Sequence, residues 1–348
     1  MKDSHKLILQ QAAIYSKLAT GIYGSMMVYG VMREIDSMSD VKHLLSGNSS
    51  KEGYIQAFCD HCKLSPEDIL YVKWGCEEDQ PSANSVDSAD SANSTSSNPI
   101  MTKSGFQISH PPIFLVRHKE TNSIVLCIRG TWNIQDFIVD FKCYASEWGL
   151  GKAHEGIAAI SNALLKDEEL NEAISGALKE NPDYRLVAVG HSLGAGIASL
   201  LTINWRYKKM YNKPVCFAIA PPPILTASVW DKGQDYIYSF VNEDDVVPRL
   251  SKHGLEDAIL KITSNCHEKR SWLDRLKRKA EEAHNSLFLV TDKFVHMYLP
   301  GTIFYLHPCM DNYETYEKRK RHITGVGKRI EEFSPCNCWI IYRERKSR

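Results

Sequence analysis

The chain has no net charge: its 348 residues include 42 basic and 42 acidic side chains. No long-range field draws in nucleic acid or an anionic membrane, so any such attraction has to be local. Its ten cysteines are scattered, without the dense framework of a small secreted protein. The N-terminus, MKDSHKLILQQ, lacks a signal-peptide pattern. A reducing, cytoplasmic setting is the expectation. No segment has the roughly twenty apolar residues of a membrane-spanning helix. The best candidate, Leu18 to Met32, is fifteen residues without a charge and contains Gly21, Gly24 and Gly30. A phosphate loop is also missing, since GVGKR at Gly325–Arg329 lacks the preceding glycine and the closing Ser or Thr. Cys59-Asp60-His61-Cys62 is a single C-x-x-C with no second pair at zinc-finger spacing, and Cys336 and Cys338 complete no site. No metal or other cofactor is called for.

With 43% hydrophobic residues the chain can bury one large core. Residues 1–80 read as an N-terminal helical region, with Ile14, Leu18, Ile22 and Met26 recurring every fourth position. That stripe fits a helix packed on the core, or one touching a membrane surface. Residues 81–100, rich in Ser, Asn, Asp and Ala, have almost nothing to bury and read as a disordered loop. Ile113–Val116 and Ile124–Ile128 flank a polar turn and predict a hairpin. Helical spacing runs from Ile157 to Leu178. Tyr184–Val189, Val215–Ile219 and Tyr236–Val241 predict strands, and Gly194–Lys208 a helix. Strands alternating with helices imply a doubly wound, mostly parallel sheet in a domain over residues 101–335. A charged helical insertion at 261–293 carries the basic cluster Lys269, Arg270, Arg275, Lys277, Arg278 and Lys279, and residues 336–348 form an atypical tail.

The stretch VAVGHSLGAGIASLL, Val187 to Leu201, carries the chemistry. Apolar residues lead into Gly190-His191-Ser192-Leu193-Gly194, and a helix-like segment follows. A nucleophile elbow needs this strand, sharp turn and helix, with glycines where the two elements crowd. Ser192 is the candidate nucleophile, and the helix start behind it favours a developing oxyanion. His191 reads as packing or oxyanion support, and His154 as structural. A serine also needs a base and an acid that orients it, in the chain order Ser, acid, His. The acid belongs after a later strand, where Asn242-Glu243-Asp244-Asp245 follows Tyr236–Val241. On residue chemistry alone Asp244 and Asp245 compete.

Four motifs, in order over roughly residues 110–310, resemble the class 3 lipases, and within them the diacylglycerol lipase-like branch. They are Ile128-Arg129-Gly130-Thr131 with Asp136 and Asp140; Ala153-His154-Glu155-Gly156; Gly190 to Gly196; and Asn242 to Leu250. CFAIAPPP at Cys216–Pro223 also looks like this branch. The resemblance implies an α/β-hydrolase fold and a serine esterase acting on glycerolipids such as diacylglycerol, cut at the sn-1 position. It assigns the acid to Asp245, which directly precedes Val-Val-Pro. It assigns the oxyanion donors to the backbone N–H groups of Thr131 and Leu193. A peripheral position on a membrane or lipid-droplet surface goes with such a substrate, and nucleic acid does not.

The base is where this chain departs from the family pattern. After Glu332-Phe333-Ser334-Pro335, where the resemblance places the catalytic histidine, the sequence continues CNCWIIY, and no histidine follows His322. His253, His267, His284, His296, His307 and His322 follow Asp245. His307, closing the apolar run Ile303–Leu306, is the leading candidate. The competing expectation is an incomplete or alternatively ended chain without a base, which would leave an impaired, lipase-like lipid-binding protein.

Overall fold

The computed structural model describes residues 3–24, 51–75, 100–102, 107–108, 110–131, 144–242, 245–250, 297–308, 329–333 and 338–343. The Ser/Asn-rich segment 81–99, the basic insertion 261–293, Asp136, Asp140 and Asp244 lie outside them, as do His253, His267, His284, His296 and His322.

In chain order the elements are α1 (Asp3–Gly21), α2 (Lys51–Cys62), β1 (Ile69–Lys73), β2 (Ile100–Met101), β3 (Gln107–Ile108), β4 (Ile113–His118) and β5 (Ser123–Ile128). Then follow β6 (Ala145–Glu147), β7 (Lys152–His154), α3 (Glu155–Leu165), α4 (Glu168–Glu180), β8 (Arg185–His191) and α5 (Leu193–Lys208). The last are β9 (Val215–Ile219), β10 (Ile237–Asn242), β11 (Thr302–Pro308), β12 (Arg329–Phe333) and β13 (Cys338–Arg343).

A nine-stranded sheet in the order β1-β4-β5-β8-β9-β10-β11-β13-β12 forms the body of the fold. The neighbours from β5 through β11 pair in parallel, while β1, β4, β12 and β13 add antiparallel edges. This is the expected doubly wound architecture. The hairpin of β4 and β5 pairs Ile113 with Ile128.

Period-two alternation sends successive side chains to opposite faces. On β5, Ile124, Leu126 and Ile128 join a cluster with Leu164, Leu170, Ile197 and Leu200, under α3, α4 and α5. Val125 and Cys127 point the other way, into a cluster with Tyr15, Leu18, Ile22, Tyr54, Phe58 and Phe217, under α1 and α2. The stripe is core-facing where it is described: Leu18 in α1 and Ile22 just past its end are buried against the sheet, while Met26 lies outside the described residues. Among the described residues no helix is long and apolar enough to cross a membrane.

Three local expectations change. Residues 69–73, read as part of a helical region, form β1, paired antiparallel with β4. ILYVK is β-branched and aromatic enough to prefer a pleated, half-buried edge. The helical spacing from Ile157 to Leu178 divides into α3 and α4. Asp167 caps α4 by accepting from the Leu170 N–H at 3.1 Å, and it pairs with Lys73 on β1. A cap in mid-pattern ends one helix and starts the next. Part of the tail forms β13, which pairs antiparallel with both β11 and β12.

Candidate active site

β8 ends at His191 and α5 begins at Leu193, so Ser192 is the single residue of the turn. Its backbone is at φ +55°, ψ −123°. A side-chain-bearing residue holds such a conformation only when its surroundings over-determine it. Here its N–H donates to the Ile219 carbonyl at 3.0 Å, and its own carbonyl accepts from Ala195 and Gly196. Gly194 makes the turn possible. A methyl group there would lie 2.2 Å from the Ile128 carbonyl oxygen and 2.7 Å from that of Arg129. One on Gly190 would meet Gly194 at 2.3 Å.

Those contacts press the end of β5 against the elbow. Gly130 lies so close that a methyl group on it would sit 3.3 Å from Ser192 Cβ. Thr131, the next residue, is half-buried. The Gly130–Thr131 loop and the first turn of α5 therefore meet beside Ser192. The Ser192 side chain is fully buried, and among the described residues its Oγ has no hydrogen-bond partner.

Asp245 follows β10, two strands from β8. Its carboxylate accepts from the Val247 N–H at 3.0 Å, and Arg249 donates to its carbonyl. The charge of Asp245 reaches His191. Burial pulls the His191 imidazole below its usual pKa, and Asp245 opposes that shift without overcoming it. His191 is therefore neutral at pH 7. Its Nδ1 shares a 2.9 Å hydrogen bond with the hydroxyl of Tyr23, just beyond α1, and the two rings meet edge to face.

His307 is the sixth residue of β11, which runs parallel to β10 with Asn242 opposite Leu306. The residues proposed as nucleophile, acid and base thus follow or close β8, β10 and β11 at one edge of the sheet, its carboxyl edge. Ligands of open α/β sheets bind at that edge. His154 caps α3, its Nδ1 accepting from the Ile157 N–H at 3.4 Å. Cys59 faces the core, where burial raises its thiol to about 11. Among the described residues no group of three or more His, Cys, Asp or Glu comes together as a metal site would require.

Sequence reasoning gave no role to two residues beside the elbow. Arg129 is 2% exposed, with its Nε donating to the Gly130 carbonyl. Tyr23 stands more than a hundred positions before Ser192, and no local pattern marks it.

A strained serine between a buried parallel strand and a helix N-terminus, at the carboxyl edge of such a sheet, is the elbow arrangement of the α/β-hydrolase fold. Residues 125–254 match the family model of the class 3 lipases. The chain is similar to diacylglycerol lipase-beta of Mus musculus, 36% identical over 171 residues that cover 45% of this chain and 25% of that protein. Diacylglycerol lipase-alpha of Homo sapiens is 26% identical over 176 residues, covering 47% and 17%. The match thus spans a quarter or less of either relative's length. The solved native Rhizomucor miehei lipase–propeptide complex aligns with 71% of this chain and 64% of its own at 16% identity and a TM-score of 0.44.

Proposed function

We propose that the chain is a serine hydrolase that cleaves carboxylic esters of glycerolipids, with diacylglycerol as the substrate class, through an acyl-enzyme. The backbone of Ser192, at φ +55° and ψ −123° between β8 and α5, carries the reading. That conformation costs on the order of 1–3 kcal/mol and serves to present a hydroxyl.

Ser192 Oγ attacks the ester carbonyl carbon while a base takes the hydroxyl proton. The carbonyl π electrons move onto oxygen. The backbone N–H groups of Thr131 and Leu193 receive that oxyanion, each worth about 3–4 kcal/mol when lost. The tetrahedral intermediate collapses, and the glycerolipid alcohol leaves with the proton. Water then repeats the sequence on the acyl-serine, releasing the fatty acid and restoring Ser192. The base in this reading is His307, oriented by Asp245. The support is topological: β11 neighbours β10, and both end at the edge that carries Ser192. Work at a membrane or lipid-droplet surface belongs to the same reading, because the substrate resides there.

Labelling with a fluorophosphonate probe tests the nucleophile. Covalent labelling is expected in the native chain and absent in Ser192→Ala. Labelling unchanged in Ser192→Ala would sink the assignment. His307→Ala is expected to slow labelling by about 10³-fold or more, and an undiminished rate would move the base elsewhere.

A second reading is a lipid-binding protein without turnover. The Ser192 Oγ, without a hydrogen-bond partner among the described residues, favours it, since a poised base ordinarily hydrogen-bonds the nucleophile. Diacylglycerol retention without fatty-acid release, and without labelling, would establish it.

A further inference from the structure

Residues 3–24 precede the family-matched segment by about a hundred positions, yet they reach the elbow. α1 lies across β5, β8 and β9. Its buried Tyr15 and Leu18, with Ile22 just past its end, fill the aromatic side of the core. The helix ends at Gly21, and Gly24 at φ +76° turns the chain away. Tyr23, between them, is 2% exposed.

The Tyr23 hydroxyl sits where the two halves of the proposed oxyanion hole meet. It lies 2.9 Å from His191 Nδ1, one residue before the nucleophile. It also hydrogen-bonds the Gly130 main chain, one residue before Thr131. A methyl group on Gly130 would lie 2.2 Å from Tyr23 Oη and 2.5 Å from the His191 carbonyl oxygen. One phenol oxygen therefore bridges the elbow and the β5 loop. Burial pushes this phenol well above its ordinary pKa, so the bridge is neutral and protonated at any physiological pH.

We propose that Tyr23 is a positioning residue of the ester-hydrolysing site: its hydroxyl ties His191 to the Gly130–Thr131 loop and so holds the Thr131 and Leu193 N–H groups in register around the oxyanion. The proposal rests on the reading of Ser192 as nucleophile. An oxyanion hole works because its donors are fixed before charge develops. A displacement near 1 Å costs such a site about a hundredfold in rate. The N-terminal segment is then part of the active site rather than an appendage to it. The loss expected on removing the strut falls on kcat, because the oxyanion exists only in the transition state and in the intermediates.

Tyr23→Phe deletes the hydroxyl and keeps the ring. Tyr15→Phe is the matched control. It removes a buried hydroxyl of α1 about two helical turns before Tyr23, bonded to Ser123 Oγ at 3.0 Å. The measurements are the rate constant of fluorophosphonate labelling, kcat and KM on a soluble short-chain ester, and the unfolding midpoint. Expected for Tyr23→Phe is labelling slowed about tenfold or more, kcat lowered to match, and KM unchanged. Tyr15→Phe is expected to lose comparable stability and keep the native rates. Native labelling by Tyr23→Phe overturns the positioning role and leaves Ser192 as nucleophile. Equal slowing in both variants overturns it as well, because general loosening of α1 would then be the cause. If the native chain shows no Ser192-dependent labelling, the functional reading and this inference fall together.

His191→Leu breaks the same contact from the other side and serves if Tyr23→Phe does not fold. The double variant is expected to be no slower than the slower single. Losses that multiply would show that the two residues act independently and would overturn the strut.

Discussion

The two faces of the central sheet are built from different material. Under α3, α4 and α5 the core is largely aliphatic, with Ile157, Leu164, Leu170, Ile174, Ile197, Leu200 and Leu201. Under α1 and α2 it is aromatic, with Tyr15, Tyr23, Tyr54, Phe58, Phe114, Phe217, Phe240 and Phe304. Phe217 meets Tyr15 at 4.6 Å between ring centroids, and Phe240 stacks on Phe304 at 5.1 Å. The aliphatic face brings the helix whose N-terminus stands behind Ser192. The aromatic face brings Tyr23, and with it the contact to His191. The turn at Ser192 is held from both sides, by a helix continuous with it in sequence and by a segment remote from it.

The largest expected effect comes from emptying the aromatic face. Phe217→Ala should destabilise the fold by about 3–5 kcal/mol and release α1. Hydrogen exchange over residues 3–24 should then quicken far more than over α5. Leu200→Ala, cutting the aliphatic face by about 2–5 kcal/mol, should show the reverse order. Identical exchange patterns in the two variants would mean that the faces do not open separately.

Gly194→Ala strikes where the faces meet. Its methyl group would run into backbone carbonyls that cannot turn aside, so a loss of about 3 kcal/mol or more is expected in denaturant unfolding. A variant as stable as the native chain would show that the elbow has slack.

Ser192→Gly should act in the opposite direction. Glycine adopts φ +55°, ψ −123° without strain, so stability should rise by about 1 kcal/mol while labelling disappears. A fall in stability would remove the argument that the turn stores strain for function.

The smallest effect concerns the cover of the aromatic face. Asp68, beside α2, accepts from Arg117 Nε at 3.0 Å and from Lys119 at 3.1 Å. Burial alone would raise its carboxyl, but the hydrogen bonds from Lys119 and Arg117 and their charges hold it below the usual carboxylate range. A carboxyl lowered by folding stabilises the native state above its unfolded pKa and loses that contribution as the pH falls through the folded value. Asp68→Asn should therefore cost about 1 kcal/mol at pH 7, a value discounted for the exposure of Lys119. The difference should vanish in acid, where Asp68 is protonated. A difference independent of pH would show that the charge is immaterial.

How much of this was legible in the residues varies with how local the cause is. The hairpin, β9, α5 and the elbow were readable because alternation, helical spacing and glycine placement act over a few positions. Two-sided burial of the parallel strands also showed, as short apolar runs such as Val187–Val189. The strand at Ile69–Lys73 was missed because only pairing with β4 turns that stretch into an edge. The break between α3 and α4 was missed because apolar spacing runs through it, while Asp167 decides the boundary by capping Leu170 and pairing with Lys73.

By itself the sequence determined the alternating architecture, the tight turn at Ser192 and the likeness of residues 125–254 to the class 3 lipases. Each of these depends on neighbours a few residues apart or on motifs that can be read in line. Tertiary structure alone decided that the N-terminal helix lies on the sheet, that Tyr23 reaches His191 and Gly130, and that β8, β10 and β11 end at a common edge. Such contacts join residues far apart in the chain, 168 positions for Tyr23 and His191. No local pattern encodes them, because they arise only when both faces of the sheet are buried at once.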